Sequence, residues 1–103
     1  MSEIGRARID EVAEGGMVKV RHPPYDILLA RIDGKLYAME DACPHSGQSL
    51  CEGTIEGFLV TCPAHQWLVD IRSGRVLTEA GADRSNPAFR VTIEAGWAVV
   101  HDD

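Results

Sequence analysis

Two short motifs, each pairing a cysteine with a histidine, constrain this chain more than any other feature. The first is Cys43-x-His45, and the second, sixteen residues further on, is Cys62-x-x-His65. Because one or two residues separate the members of each pair, a single tight loop can direct both side chains at one point. Two such loops facing each other could bind one metal centre from opposite sides. Thiolates suit iron–sulfur clusters or zinc, and imidazole suits iron, zinc, copper or nickel.

A zinc site is the alternative to an iron–sulfur centre, because two cysteines and two histidines are a common zinc ligand set. The tetrahedral donor set alone does not separate the two. Zinc knuckles, however, usually pair cysteine with cysteine and histidine with histidine, whereas each loop here contributes one of each. The motifs therefore indicate a metal centre and leave its identity open.

The residues around the four candidate ligands extend the pattern. Prolines follow both cysteines, and glycines, a leucine, a tryptophan and an aspartate flank them: Pro44, Pro63, Gly47, Leu50, Gly53, Gly57, Trp67 and Asp70. Over about thirty residues this stretch resembles the Rieske family, in which two cysteines hold one iron of a [2Fe–2S] cluster and two histidines hold the other. The resemblance implies that one such cluster is bound by Cys43, His45, Cys62 and His65.

The resemblance is to the small stand-alone members of the family, and it implies a function and partners. It implies a Rieske ferredoxin, a one-electron carrier that is not itself an enzyme, because four protein ligands leave no open position for a substrate. The implied donor is a flavin-dependent NAD(P)H ferredoxin reductase. The implied acceptor is a terminal oxygenase of aromatic hydrocarbon catabolism, either a ring-hydroxylating dioxygenase or a di-iron monooxygenase. The alternatives are a Rieske-like small subunit of an oxidoreductase such as nitrite reductase, and a zinc-stabilised binding module.

Length, charge and cysteine content restrict the remaining classes. With 103 residues the chain is expected to be one domain, residues 1–103, and its formal net charge of −6 with no basic patch predicts neither nucleic acid nor a membrane as a partner. We find no signal peptide and no apolar run long enough to span a bilayer. Three cysteines, two of them in the motifs, argue against a disulfide framework. We therefore expect a cytoplasmic protein, and a monomer.

Alternating hydrophobicity and turn residues predict a chain made almost entirely of β-strands. Asp33-Gly34 is the strongest hairpin signal, and 79–87 is predicted to be a polar loop. The predicted strands, in chain order, are residues 6–10, 17–21, 25–32, 35–40, 54–55, 58–61, 68–71, 89–93 and 97–100. The fold class is therefore all-β and antiparallel. We expect a Rieske-like β-sandwich base built from both ends of the chain, with a small inserted cluster-binding lobe at approximately residues 41–71.

The resemblance also bears on the reduction potential. High-potential members carry a further cysteine in each loop, and the two form a disulfide; Gln48 and Ala64 take those positions here. Those members also have serine and tyrosine hydroxyls that donate to the cluster, where this chain has Gln66 and Leu68. The resemblance therefore implies a potential at the low end of the family range of roughly −150 to +300 mV.

Several other chemistry-bearing residues are expected to have structural roles. Cys51 is predicted to be a packed thiol without redox function, since free cysteine often behaves as a small hydrophobe. Trp67 is predicted to cover the lobe, with a docking rim as the alternative. His22 and His101 are predicted in exposed loop or terminal positions. Three charged residues are predicted on a solvated face: Glu52, Asp70 and Arg72.

Overall fold

The computed structural model describes residues 3–43, 47–63, 66–78 and 84–102. In chain order its strands are β1 (Glu3–Arg8), β2 (Met17–His22), β3 (Tyr25–Ile32), β4 (Lys35–Glu40), β5 (Thr54–Glu56), β6 (Leu59–Thr61), β7 (Leu68–Asp70), β8 (Ala88–Glu94) and β9 (Trp97–His101). Two single 3₁₀ turns, Ile9–Glu11 and Leu50–Glu52, are the helical segments of the described residues, and neither has the length to cross a bilayer. The predicted all-β, antiparallel class is confirmed.

The strand predictions differ from the structure mainly at the chain's first strand. β3 and β4 begin and end where the sequence pattern placed them, around the predicted turn at Asp33-Gly34. The first strand was predicted at 6–10, but β1 ends at Arg8 and a 3₁₀ turn follows. The reason is its partner: Arg8 pairs with Trp97, the first residue of β9, so the ladder has no further rung to offer.

Six strands form one antiparallel sheet in the order β1-β9-β8-β4-β3-β2. Because β1 and β9 are neighbours, the base is built from both ends of the chain, as predicted. The sheet curls until its two edge strands approach each other: a Cβ atom placed on Gly5 of β1 would lie 2.8 Å from Cγ1 of Val20 in β2. Only glycine allows this approach without displacing the neighbouring strand.

The central strand β3 is buried on both faces because it separates two apolar clusters. Ile27 and Leu29 point into the curled sheet, whereas Leu28, Ala30 and Ile32 point toward the smaller part of the molecule. Successive side chains of a strand alternate between faces, so a strand covered on both sides requires a continuous apolar run. That requirement explains the unbroken hydrophobic stretch in the middle of β3.

The smaller part of the molecule is a three-stranded antiparallel sheet in the order β5-β6-β7. The β5–β6 hairpin turns at Gly57, which has a φ of 60°. Val60 of β6 pairs with Val69 of β7, and both valines are fully buried. Both valines belong to the apolar cluster that covers the outer face of β3, and so do Cys43 and Cys62. The two motif cysteines therefore lie in the core between the two sheets.

Candidate metal centre

The first cysteine motif forms a tight loop closed by two backbone hydrogen bonds. Cys43 lies three residues beyond the end of β4. Its N–H donates to the carbonyl of Gln48 at 2.7 Å, and the N–H of Gly47 donates back to the carbonyl of Cys43 at 2.8 Å. Gly47 has a φ of 77°, in the left-handed region that glycine enters without steric cost. Glycine therefore suits the position that closes this loop.

The second cysteine motif repeats the same geometry with a different sequence. Cys62 directly follows β6, its N–H donates to the carbonyl of Trp67 at 2.9 Å, and the N–H of Gln66 donates to the carbonyl of Cys62 at 3.0 Å. In both loops the acceptor lies five residues after the cysteine and the donor lies four. Gln66 has a φ of 58°, the left-handed conformation that Gly47 adopts in the first loop. In their described residues, the two loops therefore share the same pair of closing hydrogen bonds and a left-handed residue at the same position.

The two thiols at the start of these loops are buried in one apolar cluster. Cys43 is 2% exposed and Cys62 is 0% exposed, and neither forms a disulfide. A further close approach supports the second loop: a Cβ atom on Gly53 would overlap the carbonyl oxygen of Thr61, the residue before Cys62. Two thiols held by matched loops in a dry core are soft ligands, and they fit an iron–sulfur cluster.

The two histidines of the motifs, His45 and His65, lie outside the described residues, as do Pro44 and Ala64. Within 3–43, 47–63, 66–78 and 84–102, no three His, Cys, Asp or Glu side chains are grouped to hold a metal ion. Of the predicted ligand set, the structure places the two thiols, Cys43 and Cys62, in the same apolar cluster. The assignment of the two imidazoles stays a prediction.

Comparison with known proteins decides the family. Residues 4–90 match the family described as Rieske [2Fe-2S] domain, a range that contains both cysteine loops. The chain belongs to the Rieske [2Fe-2S] family. An iron–sulfur cluster is the cofactor of that family, and the buried thiols of Cys43 and Cys62 fit it.

Named relatives of this Rieske chain are ferredoxins. It is 34% identical over 84 residues to the 3-phenylpropionate/cinnamic acid dioxygenase ferredoxin subunit of Photorhabdus laumondii, covering 81% of this chain and 79% of that protein. It is 30% identical over 99 residues to the p-cumate 2,3-dioxygenase ferredoxin component of Pseudomonas putida, covering 94% and 83%. Among solved structures, the ferredoxin of carbazole 1,9a-dioxygenase from Nocardioides aromaticivorans IC177 matches with a TM-score of 0.89 at 18% identity, over 100% of both chains. That last likeness shows the fold.

The third cysteine of this Rieske chain, Cys51, is half-buried and packs against the cluster of apolar residues around the loops. Its Sγ lies 3.5 Å from the carbonyl oxygen of Val18, to which it donates. Burial first, and then the nearby Asp41 carboxylate, raises the pKa of the Cys51 thiol to about 12. The thiolate is the reactive form of cysteine, so Cys51 is held in its unreactive form. This agrees with the predicted structural role.

We expect Cys51 to resist alkylation in the folded protein. With a pKa of about 12, its thiolate population at pH 8 is roughly a thousandfold smaller than that of an ordinary cysteine, and the labelling rate should fall by about that factor. Mass spectrometry after timed treatment with iodoacetamide measures the rate, and the same protein unfolded in guanidinium gives the reference. Labelling of folded protein at the unfolded rate would contradict the assignment, and Cys51→Ser identifies the labelled site.

Two buried polar residues that the sequence analysis did not single out hold the segment carrying Cys43. Asn86 is 5% exposed, and its Nδ2 donates to the carbonyls of Glu40 and Ala42 at 2.9 and 2.8 Å. The carboxylate of Asp41 accepts from the Ser49 hydroxyl at 2.6 Å and from the backbone N–H of Cys51 at 2.8 Å. Both residues bracket the chain just before the cysteine. Asp41 lies two positions before Cys43, and a charged residue so close to the motif was the only signal in the sequence that could have marked it.

Trp67 is 8% exposed and is part of the same apolar cluster as the two thiols. The guanidinium carbon of Arg84 lies 5.9 Å from the centroid of the Trp67 ring, so the arginine covers part of that ring. The burial favours the predicted packing role over the docking rim, because a ring at a rim would present its face to a partner.

The charged residues predicted on a solvated face separate into two groups. Glu52 and Arg72 are exposed, as predicted. The prediction is wrong for Asp70, whose side chain is 14% exposed and accepts hydrogen bonds from Arg72 Nε and Nη2 at 3.1 and 2.9 Å. The side-chain hydrogen bonds from Arg72 hold the pKa of the Asp70 carboxyl below its usual value. The turn after β7 folds Arg72 back onto Asp70 and so shields most of this carboxylate from water.

The predicted exposure of two histidines is also wrong. His101 ends β9 and is 9% exposed, with Nε2 lying 2.9 Å from the Thr92 hydroxyl. It is buried because β9 pairs with β1 on one side and β8 on the other, so its position near the end of the sequence is not an exposed one. His22 ends β2 and is half-buried, with its ring 5.0 Å from the Tyr25 ring.

Proposed function

We propose that this chain is a Rieske ferredoxin that carries one electron at a time from a flavin-dependent NAD(P)H ferredoxin reductase to the terminal oxygenase of an aromatic dioxygenase system. The relatives reported above are ferredoxin components of such systems. The observation that carries the proposal is the pair of matched loops that hold two thiols, Cys43 and Cys62, in one buried cluster. These are the features that a protein-held iron–sulfur cluster requires.

The proposed ligands are Cys43 and Cys62 for one iron and His45 and His65 for the other. Each histidine follows its cysteine within the loop, inside the span that the two backbone hydrogen bonds enclose. When bound, such a cluster supplies reversible one-electron chemistry. The chain's own contribution is to keep the thiol side dry, through Leu50, Val60 and the other members of the surrounding apolar cluster.

The backbone hydrogen bonds of the two loops also restrain the two proposed cysteine ligands. Backbone hydrogen bonds at the neck of each loop, together with residues in the left-handed conformation, restrict how far Cys43 and Cys62 can move. A frame that does not rearrange suits a carrier that must accept and release an electron without trapping it. With four protein ligands, no position is left for a substrate. The chain is therefore an electron-transfer component and not the catalytic one.

Three narrower choices follow from the same observations. The relatives named above serve dioxygenases, which favours a dioxygenase over a di-iron monooxygenase as the acceptor. Their names also favour a separate ferredoxin over a small subunit of a nitrite reductase, and the family match disfavours a zinc module. We further propose that the protein is a monomer, and that it lies in the cytoplasm because three cysteines, two of them proposed cluster ligands, give no disulfide framework. Light scattering on the purified protein would test the monomer.

Metal and sulfide analysis tests the proposed cluster directly. We expect two irons and two acid-labile sulfides per chain, as the family description implies. After dithionite reduction, the EPR spectrum should have an average g value below that of the free electron, because imidazole donates less charge to its iron than thiolate does. The protein should pass electrons from a flavin reductase to a dioxygenase in a coupled assay, with ferredoxin omitted as the control. One zinc and no sulfide in protein produced with adequate iron would overturn the proposal.

A further inference from the structure

The carboxylate of Asp41 is buried beside the first cysteine loop. Its side chain is 1% exposed. Among the described residues, Asp41 is the one acidic residue that is buried. It accepts hydrogen bonds from the Ser49 hydroxyl at 2.6 Å and from the backbone N–H of Cys51 at 2.8 Å. Lys19 Nζ lies 3.6 Å from the same group, and the lysine side chain is 37% exposed. A buried charge needs such partners, because leaving water costs it much solvation energy.

These contacts place the carboxylate across the neck of the first loop. The last backbone rung of that loop joins Cys43 to Gln48. Beyond this rung, the residues before Cys43 and after Gln48 do not pair as strands, since the chain after Ser49 enters a 3₁₀ turn. The side chain of Asp41 bridges this gap by accepting from residues on the far side. It therefore takes the place of the missing sheet hydrogen bonds.

Among the described residues of the second loop, no buried carboxylate plays this part. Its neck continues directly into the β6–β7 ladder, where Thr61 pairs with Leu68. The residue that corresponds to Asp41, two positions before the cysteine, is Val60, which is fully buried and apolar. The matched loops are thus electrostatically unequal: one neck is held by neutral backbone pairs, and the other is held by a buried anion.

We propose that Asp41 and Lys19 form a charge pair that sets the reduction potential of the cluster from the side of the Cys43 loop. The inference rests on the proposed function, since it needs the cluster at Cys43 and Cys62. A buried negative charge opposes the addition of an electron nearby, and the low dielectric of the core makes this effect larger than in water. Net charge and hydrogen bonding around a cluster are recognised determinants of its potential. The partly exposed ammonium of Lys19 offsets part of the carboxylate's effect.

Two neutral substitutions with opposite expected signs test the pair. Asp41→Asn keeps the shape and both contacts, because the amide oxygen can accept from the Cys51 N–H and the amide nitrogen can donate to the Ser49 hydroxyl. It should raise the potential, increasing the ratio of reduced to oxidised protein at a fixed applied potential by about threefold or more. Lys19→Met should lower the ratio by a smaller factor. High salt should weaken the effect of Lys19→Met more, because buried charges are screened less than exposed ones.

Matched controls come from the opposite end of the β3–β4 hairpin. Asp33→Asn and Lys35→Met remove the same charges at the turn, and asparagine suits the φ of 53° at position 33. Protein-film voltammetry measures the potentials, and the EPR spectrum of each variant reports whether the cluster is intact. Control variants should leave the potential close to that of the wild type.

The outcomes separate this proposal from the proposed function. A wild-type protein without iron and sulfide overturns both. An intact cluster whose potential moves no further in Asp41→Asn than in Asp33→Asn overturns the charge pair alone, as does a rise of the potential in Lys19→Met. If Asp41→Asn does not fold, the sign of the shift in Lys19→Met, an exposed residue, decides the question. A rise with Asp41→Asn and a fall with Lys19→Met support the pair, since a role confined to holding the loop predicts no such opposition.

Discussion

Cys62→Ser is expected to yield a colourless protein, and Cys43→Ser is expected to do the same. Each thiol is buried at the start of its loop, and serine replaces a soft ligand by a hard oxygen that an iron–sulfur cluster accepts poorly. Substitution of a residue that hydrogen-bonds to a metal ligand lowers metal affinity roughly 10- to 100-fold. Replacement of the ligand itself should lower it further. The visible spectrum, the iron content and the acid-labile sulfide of the purified variants measure the effect.

Cys51→Ser is the matched control for this experiment. Its thiol is half-buried, donates to a carbonyl and is not at the start of either loop. This variant should keep its colour, its iron and most of its electron-transfer activity. A colourless Cys51→Ser protein would mean that the ligand assignment is wrong. Since metal binding contributes to folding free energy, the two colourless variants should also unfold at lower urea concentration than the control.

Asn86→Ala should produce the second large effect, on the stability of the fold. The amide of Asn86 is the donor to the carbonyls of Glu40 and Ala42, and alanine would remove both of these hydrogen bonds. A buried polar group left without a partner costs about 1–3 kcal/mol, so we expect a loss of roughly 2–4 kcal/mol in the free energy of unfolding. For a domain whose total stability is about 5–15 kcal/mol, such a loss is large.

Urea unfolding of the protein followed by tryptophan fluorescence measures this loss. Ser85→Ala is the control, because Ser85 is the exposed neighbour of Asn86 and should change the stability by no more than about 0.5 kcal/mol. If both variants unfold at the same urea concentration, the bridge to Glu40 and Ala42 does not stabilise the fold. We also expect a lower iron content in Asn86→Ala, since the bridged segment leads into Cys43.

The sequence was sufficient to predict most strands and the two cysteine loops, because these depend on short-range patterns. β3 and β4 carry a continuous apolar run, an alternating stretch and an Asp-Gly turn between them, and these signals are local. The cysteine loops are also local. The backbone hydrogen bonds that close them, from Cys43 to Gln48 and from Cys62 to Trp67, each span six residues, so a short stretch of sequence is enough to indicate a loop.

Other features depend on contacts between distant parts of the chain, which a single sequence does not reveal. Asn86 lies in a stretch predicted as a polar loop, yet its amide reaches carbonyls 44 and 46 residues earlier. Asp41 is paired with Lys19 of β2, and nothing in the composition of either segment indicates this. His101 was predicted to be exposed because it is near the end of the sequence. Its burial follows from the pairing of β9 with β1 and β8, a property of the topology.

The pairing of β1 with β9 makes this chain a suitable candidate for circular permutation. Glu3 lies opposite His101 in that pair, so a short flexible linker could join the two ends without disturbing the sheet. New ends could be opened between Asp33 and Gly34, at the turn that links β3 to β4. The linker would connect β9 to β1, which lie two and three positions from β4 in the sheet order, whereas the cysteine loops follow β4 and β6. A permuted carrier would therefore offer a new attachment point for an electrode or a fused reductase while its two loops keep their original connectivity.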